Sequence, residues 1–235
     1  MPSTPAIVVI KVGTSSILQS DGRHLALSTL AALVETIVAL RAAGLGVVLV
    51  SSGAVGVGCQ SLGITTRPKE LAELQAMAAV GQPRLMAHYE SLFSALGQPI
   101  AQVLLSADAL GSRTGYLNAQ ATFVQLLKLG VVPVVNENDS VAISELKFGD
   151  NDTLSALVAT MVGAGWLFLA TDVDALYTSN PTKPPAPGEA PAAPIREVAD
   201  VAAAMRTVEA AGSNSGSQWG TGGILTKLTM FRMHE

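Results

Sequence analysis

The chain has 235 residues, a formal net charge of -4, 49% hydrophobic residues and only 14% charged ones. That is enough apolar material to cover both faces of a sheet, and it leaves no basic footprint for nucleic acid. No apolar run approaches the roughly 18 residues of a membrane span, the three histidines are scattered, and one cysteine rules out an intrachain disulfide.

Residues 7–10 read as a buried strand running into Lys11-Val12-Gly13-Thr14-Ser15-Ser16. Residues 25–41 carry Leu27, Leu30, Val34, Ile37 and Val38 at helical spacing, and Ala43-Gly44 ends that helix. Residues 47–50 form a second strand, followed by Ser51-Ser52-Gly53-Ala54. Residues 71–96 are helical, with a break expected near Gly81-Gln82-Pro83. A strand follows at 100–105, then a helix at 116–129 ended by Gly130. Residues 131–135 form a valine-rich strand running into Asn136-Glu137-Asn138-Asp139. A helix is expected over 155–162, and a strand at 167–170 runs into Thr171-Asp172-Val173-Asp174.

Alternating strands and helices imply an α/β fold, a three-layer α/β/α sandwich around a mainly parallel sheet, as one domain over 1–235. The window 183–194 holds five prolines and is expected to be a surface insertion. A Gly- and Ser-rich loop is expected over 211–223 and the start of a helix over 223–235. The first six residues carry no basic stretch, so no signal peptide is expected and the cytoplasm is the expected location.

Four polar clusters at the ends of four strands fit one site, because open α/β sheets bind ligands beyond the carboxyl ends of their strands. In the first cluster, Gly13 lets the backbone approach an anion, and Lys11 can neutralise its charge. A strand–turn with a solvated lysine is the plainer alternative. No Walker A or Rossmann glycine pattern follows a strand. Ser52-Gly53-Ala54 is a small-residue turn, and Gly56 and Gly58 are better explained by close helix–sheet packing. In Gly149-Asp150-Asn151-Asp152, Asp152 suits the N-cap of a helix beginning near Thr153, which leaves Asp150 and Asn151 for an ammonium group or a lysine. Amides and acids at 136–139 suit an amino-acid ligand, whose ammonium needs acceptors and whose carboxylate needs donors, with a plain polar loop as the alternative. Gly220-Thr221-Gly222-Gly223 opening a helix, with Lys227 a turn further on, is an anion site or an ordinary loop with a solvated lysine.

Taken together, the stretches VVIKVGTSSI, VVLVSSGAVGVG, LQAMAAVGQPRLM, YLNAQATF, VVPVVNENDSVAISELKFGDNDTLSALVA, FLATDVDALYT and GTGGILTK are specific. The chain resembles the amino acid kinase family, and within it the glutamate 5-kinases, over most of residues 7–230. The resemblance implies transfer of the γ-phosphoryl of ATP, with Mg²⁺, to the γ-carboxylate of L-glutamate, the first step of proline synthesis. Lys11 and Lys227 would then stabilise the transferring phosphoryl and Asp152 would hold both lysines. Gly13 and Thr14 would cradle the phosphoryl. Ser52, Gly53, Asn136, Asp139, Asp150 and Asn151 would bind glutamate. Thr171, Asp172, Thr221, Gly222 and Gly223 would lie on the nucleotide side. No protein-held metal is implied. Feedback inhibition by L-proline and a homo-oligomer are further implications, and the long apolar helices of 71–96 are the expected source of its interface. The family's kinase domain continues beyond the position of Lys227, so the chain is expected to be C-terminally incomplete.

Two alternatives stand beside this reading. One is a sibling kinase acting on acetylglutamate or aspartate, against which NENDSVA and FGDNDTLSA argue. The other is a non-catalytic protein that binds glutamate or proline.

Overall fold

The computed structural model describes residues 6–19, 24–140, 151–171, 175–178, 191–198 and 200. Five parallel strands form the central sheet: β1 (Ile7–Val12), β2 (Gly46–Ser51), β3 (Ile100–Leu105), β4 (Val132–Glu137) and β5 (Trp166–Ala170), in the spatial order β3-β4-β2-β1-β5. Between them run α1 (Thr14–Ile17), α2 (Leu27–Ala42), α3 (Ala54–Ser61), α4 (Leu71–Ala95), α5 (Ala107–Gly111), α6 (Arg113–Lys128) and α7 (Asn151–Val162). A small antiparallel pair, β6 (Leu176–Tyr177) and β7 (Pro194–Ile195), follows.

Strand periodicity sorts the core into two layers. On β1, Val8, Ile10 and Val12 face one side and join Leu30, Val34 and Ile37 of α2 with Leu85, Tyr89 and Phe93 of α4. Val9 faces the other side and joins Phe123 of α6 with Leu154, Val158 and Met161 of α7. Strands β2 and β4 divide in the same way, with Val47, Leu49, Val132 and Val134 in the first layer and Val48, Val50 and Val135 in the second. Alternation of side chains across a strand thus decides which helix each strand residue meets. Register then levels the strand ends, because Val12 pairs with Ser51 and with Ala170 while Val50 pairs with Val135.

Most expected elements are present, and α2 and α6 are followed by glycines in the left-handed region at Gly44 (φ 86) and Gly130 (φ 76). Several details differ. No break divides 71–96, since α4 is continuous through Pro83. The proline ring sits on an exposed face, and neighbouring Gly81 is pressed against α3. A Cβ on Gly81 would fall 1.8 Å from the carbonyl oxygen of Ala54, and one on Gly58 would fall 1.9 Å from that of Met77. Gly58 therefore serves helix–helix rather than helix–sheet packing. A Cβ on Gly56 would fall 2.5 Å from the side chain of Leu18 and 3.3 Å from that of Thr14 in α1.

Within the expected insertion, residues 183–190 lie outside the described residues, while Pro194 pairs with Tyr177 in the β6–β7 ladder. The loop expected over 211–223 and the helix start expected over 223–235 also lie outside the described residues. Among the described residues, no helix is long and apolar enough to cross a membrane. Of the buried residues of α4, Leu85, Tyr89 and Phe93 belong to the first core layer.

Candidate active site

Lys11 is the second-last residue of β1, not part of a loop after it. Its odd position puts it on the face of Val9, toward α7. There its ammonium pairs with the carboxylate of Asp152 in the first turn of that helix. The two side chains are 9% and 0% exposed. Asp152 is therefore not the N-cap expected from sequence: α7 begins at Asn151, one residue before it. A negative side chain in the first turn also suits the positive end of the helix dipole.

Gly13 follows β1 and precedes α1 with extended backbone, φ -86 and ψ 165. No positive φ requires glycine there. What matters is proximity, since a Cβ at Gly13 would lie 3.6 Å from the Lys11 ammonium. Thr14 opens α1 beside it. A cation next to a main-chain turn is suited to an anion with several oxygens.

The second half of the site is built from amides. Asn136 and Glu137 belong to β4 itself and are buried, rather than lying in a loop beyond it. Asn151 serves three acceptors through one nitrogen: its Nδ2 donates to the carbonyl of Ser51 at 3.0 Å, to Ser52 Oγ at 3.0 Å and to Asn136 Oδ1 at 2.8 Å. Asn136 Oδ1 also accepts from the Glu137 N–H at 2.9 Å, and Asn136 Nδ2 donates to Gln82 Oε1 at 2.8 Å. Ser51 Oγ is hydrogen-bonded to the Tyr89 hydroxyl at 2.9 Å. Burial pushes the Tyr89 phenol above its ordinary range, and the bond to Ser51 offsets only part of this.

Gly53 turns the chain from β2 into α3 at φ 103, and a Cβ there would meet Ile17 at 3.1 Å. Only glycine suits that turn. Asp139 lies partly buried in the turn after β4, and Thr171 is exposed directly after β5. Lys227, Asp150, Asp172, Thr221, Gly222 and Gly223 lie outside the described residues. Sequence reasoning placed Ser51 in the second polar cluster but missed Gln82 and Tyr89 as site neighbours. Strand periodicity held the signal, because Ser51 and Asn136 share the parity of Leu49 and Val134 and so face α4. Among the described residues, no group of three or more His, Cys, Asp and Glu side chains is placed to hold a metal ion.

The chain matches the model of the Amino acid kinase family over residues 6–232. It is 57% identical over 226 residues to the glutamate 5-kinase of Microcystis aeruginosa, which covers 96% of this chain and 58% of that protein. It is 58% identical over 222 residues to the glutamate 5-kinase of Synechococcus elongatus, covering 94% of this chain and 58% of that protein. With the glutamate 5-kinase of Synechocystis sp. the identity is 55% over 233 residues, 99% of this chain and 60% of that protein. The chain thus spans about three fifths of the length of the curated relatives it matches. It belongs to the amino acid kinase family.

Proposed function

We propose that this chain carries the phosphoryl-transfer site of a glutamate 5-kinase, which phosphorylates the γ-carboxylate of L-glutamate with ATP to give L-glutamyl 5-phosphate. The observation that carries this reading is the first turn of α7. Two adjacent residues there serve two halves of one site: Asp152 holds Lys11, and Asn151 ties Ser51, Ser52 and Asn136 together. The names of the similar proteins support the same substrate.

The chemistry suits the residues. A γ-carboxylate with a pKa near ~4.3 is already ionised at neutral pH and needs no general base. Positioning and charge neutralisation are the remaining tasks. Lys11 faces the Gly13 turn, and this pairing of a cation with main chain fits a polyphosphate. Bound ATP supplies the phosphoryl group, and Mg²⁺ carried on its phosphates offsets part of their charge. Lys11 stabilises charge on the transferring oxygens, with Gly13 and Thr14 beside it, and Asp152 keeps the ammonium from swinging into solvent. Asn151 Oδ1 makes no hydrogen bond among the described residues, so it is available to accept from the substrate ammonium. Ser52, Gly53, Asn136 and Asp139 complete the glutamate side with Asp150. Thr171, Asp172, Thr221, Gly222, Gly223 and Lys227 complete the nucleotide side. We place the protein in the cytoplasm as a homo-oligomer responsive to L-proline, on the likeness to the glutamate 5-kinases.

The test is ATP- and Mg²⁺-dependent acyl-phosphate formation, trapped as the hydroxamate, with L-glutamate, N-acetyl-L-glutamate and L-aspartate as acceptors. Turnover confined to L-glutamate and lost in Lys11→Ala is expected. Turnover of another acid in place of glutamate would overturn the reading, as would glutamate binding by a folded chain that never transfers phosphate.

A further inference from the structure

We propose that Gln82, on the face of α4 turned toward the strand ends, is a positioning residue that sets the amide of Asn136 and, through it, that of Asn151. The proposal rests on the glutamate-binding reading above and adds to it a residue and a helix to which the sequence assigned no part in substrate binding.

Asn136 is 3% exposed, so its amide has little water to turn to. Its oxygen already has two donors, the Glu137 N–H at 2.9 Å and Asn151 Nδ2 at 2.8 Å. Those two use both lone pairs of a carbonyl oxygen. Its nitrogen donates to Gln82 Oε1 at 2.8 Å. Without an acceptor at that point, one buried N–H would lack its hydrogen bond and rotation of the amide would become easier. Rotation would turn Asn136 Nδ2 toward Asn151 Nδ2, placing donor against donor. The shared amide of Asn151 would then lose one of its three anchors, and its Oδ1 would no longer be held where a substrate ammonium is to bind.

Helix geometry makes Gln82 suited to this role. Gln82 and Tyr89 are seven residues apart on one continuous helix, hence on one face, and they bond to Asn136 and Ser51 respectively. Asn151 bonds to both of these strand residues. The close approach of Gly81 to Ala54, with no room for a Cβ, fixes the depth of α4 one residue before Gln82. An intact helix through Pro83 is thus part of the substrate side, whereas a break there would detach Gln82 from the rest of α4.

The experiment compares steady-state kinetics of the wild-type chain, Gln82→Met, Asn136→Ala and the double variant, with L-glutamate and ATP varied separately. Gln82→Leu serves as a second truncation, and the melting temperature of each is read alongside. We expect Gln82→Met to raise the KM for L-glutamate by about tenfold while kcat and the KM for ATP stay within roughly twofold. We expect the double variant to be no worse than Asn136→Ala, because the two residues act as one unit. An unchanged glutamate KM, an equal rise in the KM for ATP, or effects that multiply in the double variant would each overturn the proposal. If the wild type neither binds nor phosphorylates L-glutamate, the functional reading falls and this proposal with it. Wild-type turnover with unaltered variants would remove this proposal alone.

Discussion

Lys11 and Asp152 form an ion pair between the carboxyl end of β1 and the first turn of α7, with both side chains almost wholly out of water. Burying two charges costs several kcal/mol each, and replacing such a pair by apolar residues is often neutral or stabilising, so the pair is weak grounds for stability. Its placement beside Gly13 and the Ser51–Asn136–Asn151 cluster makes sense if the ammonium must be held ready for an anion.

Removing Lys11 is expected to cost roughly 10²–10³ in kcat, comparable with loss of one charge-stabilising donor. It should also lower stability, because a buried ion pair is broken on one side. The double variant Lys11→Met/Asp152→Leu is expected to regain most of that stability and none of the activity. Urea unfolding and the hydroxamate assay read the two effects separately. A double variant no more stable than Lys11→Met would show that the pair itself stabilises the fold.

Gly58→Ala is expected to destabilise by more than about 3 kcal/mol, since the added methyl meets backbone and not a movable side chain. Gly165→Ala is the control. It has open space around its Cβ and no positive φ, so its stability should stay within about 0.5 kcal/mol of wild type. Denaturant midpoints compare the two, and equal midpoints would contradict the tight α3–α4 seam.

Tyr89 predicts a pH dependence. Its folded pKa lies above the unfolded value of about 10, so its contribution is fully present below pH ~10 and is lost as pH rises through the folded pKa. Within that window each pH unit removes about 1.4 kcal/mol. Tyr89→Phe should flatten this alkaline loss and lower stability near neutrality by about 1 kcal/mol, the worth of one hydrogen bond to Ser51. Melting curves from about pH 8 to about pH 11, spanning the ordinary phenol range, would test it, and parallel curves for the two proteins would rule out Tyr89 as the source.

Cys59 is fully buried on α3, and burial pushes its thiol up, with Arg67 offsetting part of the shift. The thiolate is the reactive form, so labelling by a thiol reagent should be slow in the folded chain and fast in urea. Rapid labelling of the native protein would mean that α3 opens readily from α4.

The strands were legible because valine-rich runs of four to six residues between helical segments have few other solutions, and their alternation with helices implied the parallel sheet. The polar residues at strand ends were legible as candidates for the same reason. Their exact settings were not. Lys11, Asn136 and Glu137 were assigned to loops because polar side chains usually end a strand, yet each is a buried strand residue here. Pro83 suggested a break because a proline removes an N–H, a local signal that the packing of α4 against α3 and the sheet overrides.

The amino-acid order by itself determined the layer each strand residue occupies, because side-chain alternation is a covalent property of extended chain. Ser51 and Asn136 had to face the layer of Leu49 and Val134, and Lys11 the layer of Val9. Which side chains they meet there was decided only by the tertiary structure. Register levels Val12, Ser51 and Ala170, helix packing sets the depth of α4 and α7, and these together bring Gln82 to Asn136 and Asp152 to Lys11. Such pairings join residues far apart in sequence through rigid elements, and no local pattern along the chain encodes that distance.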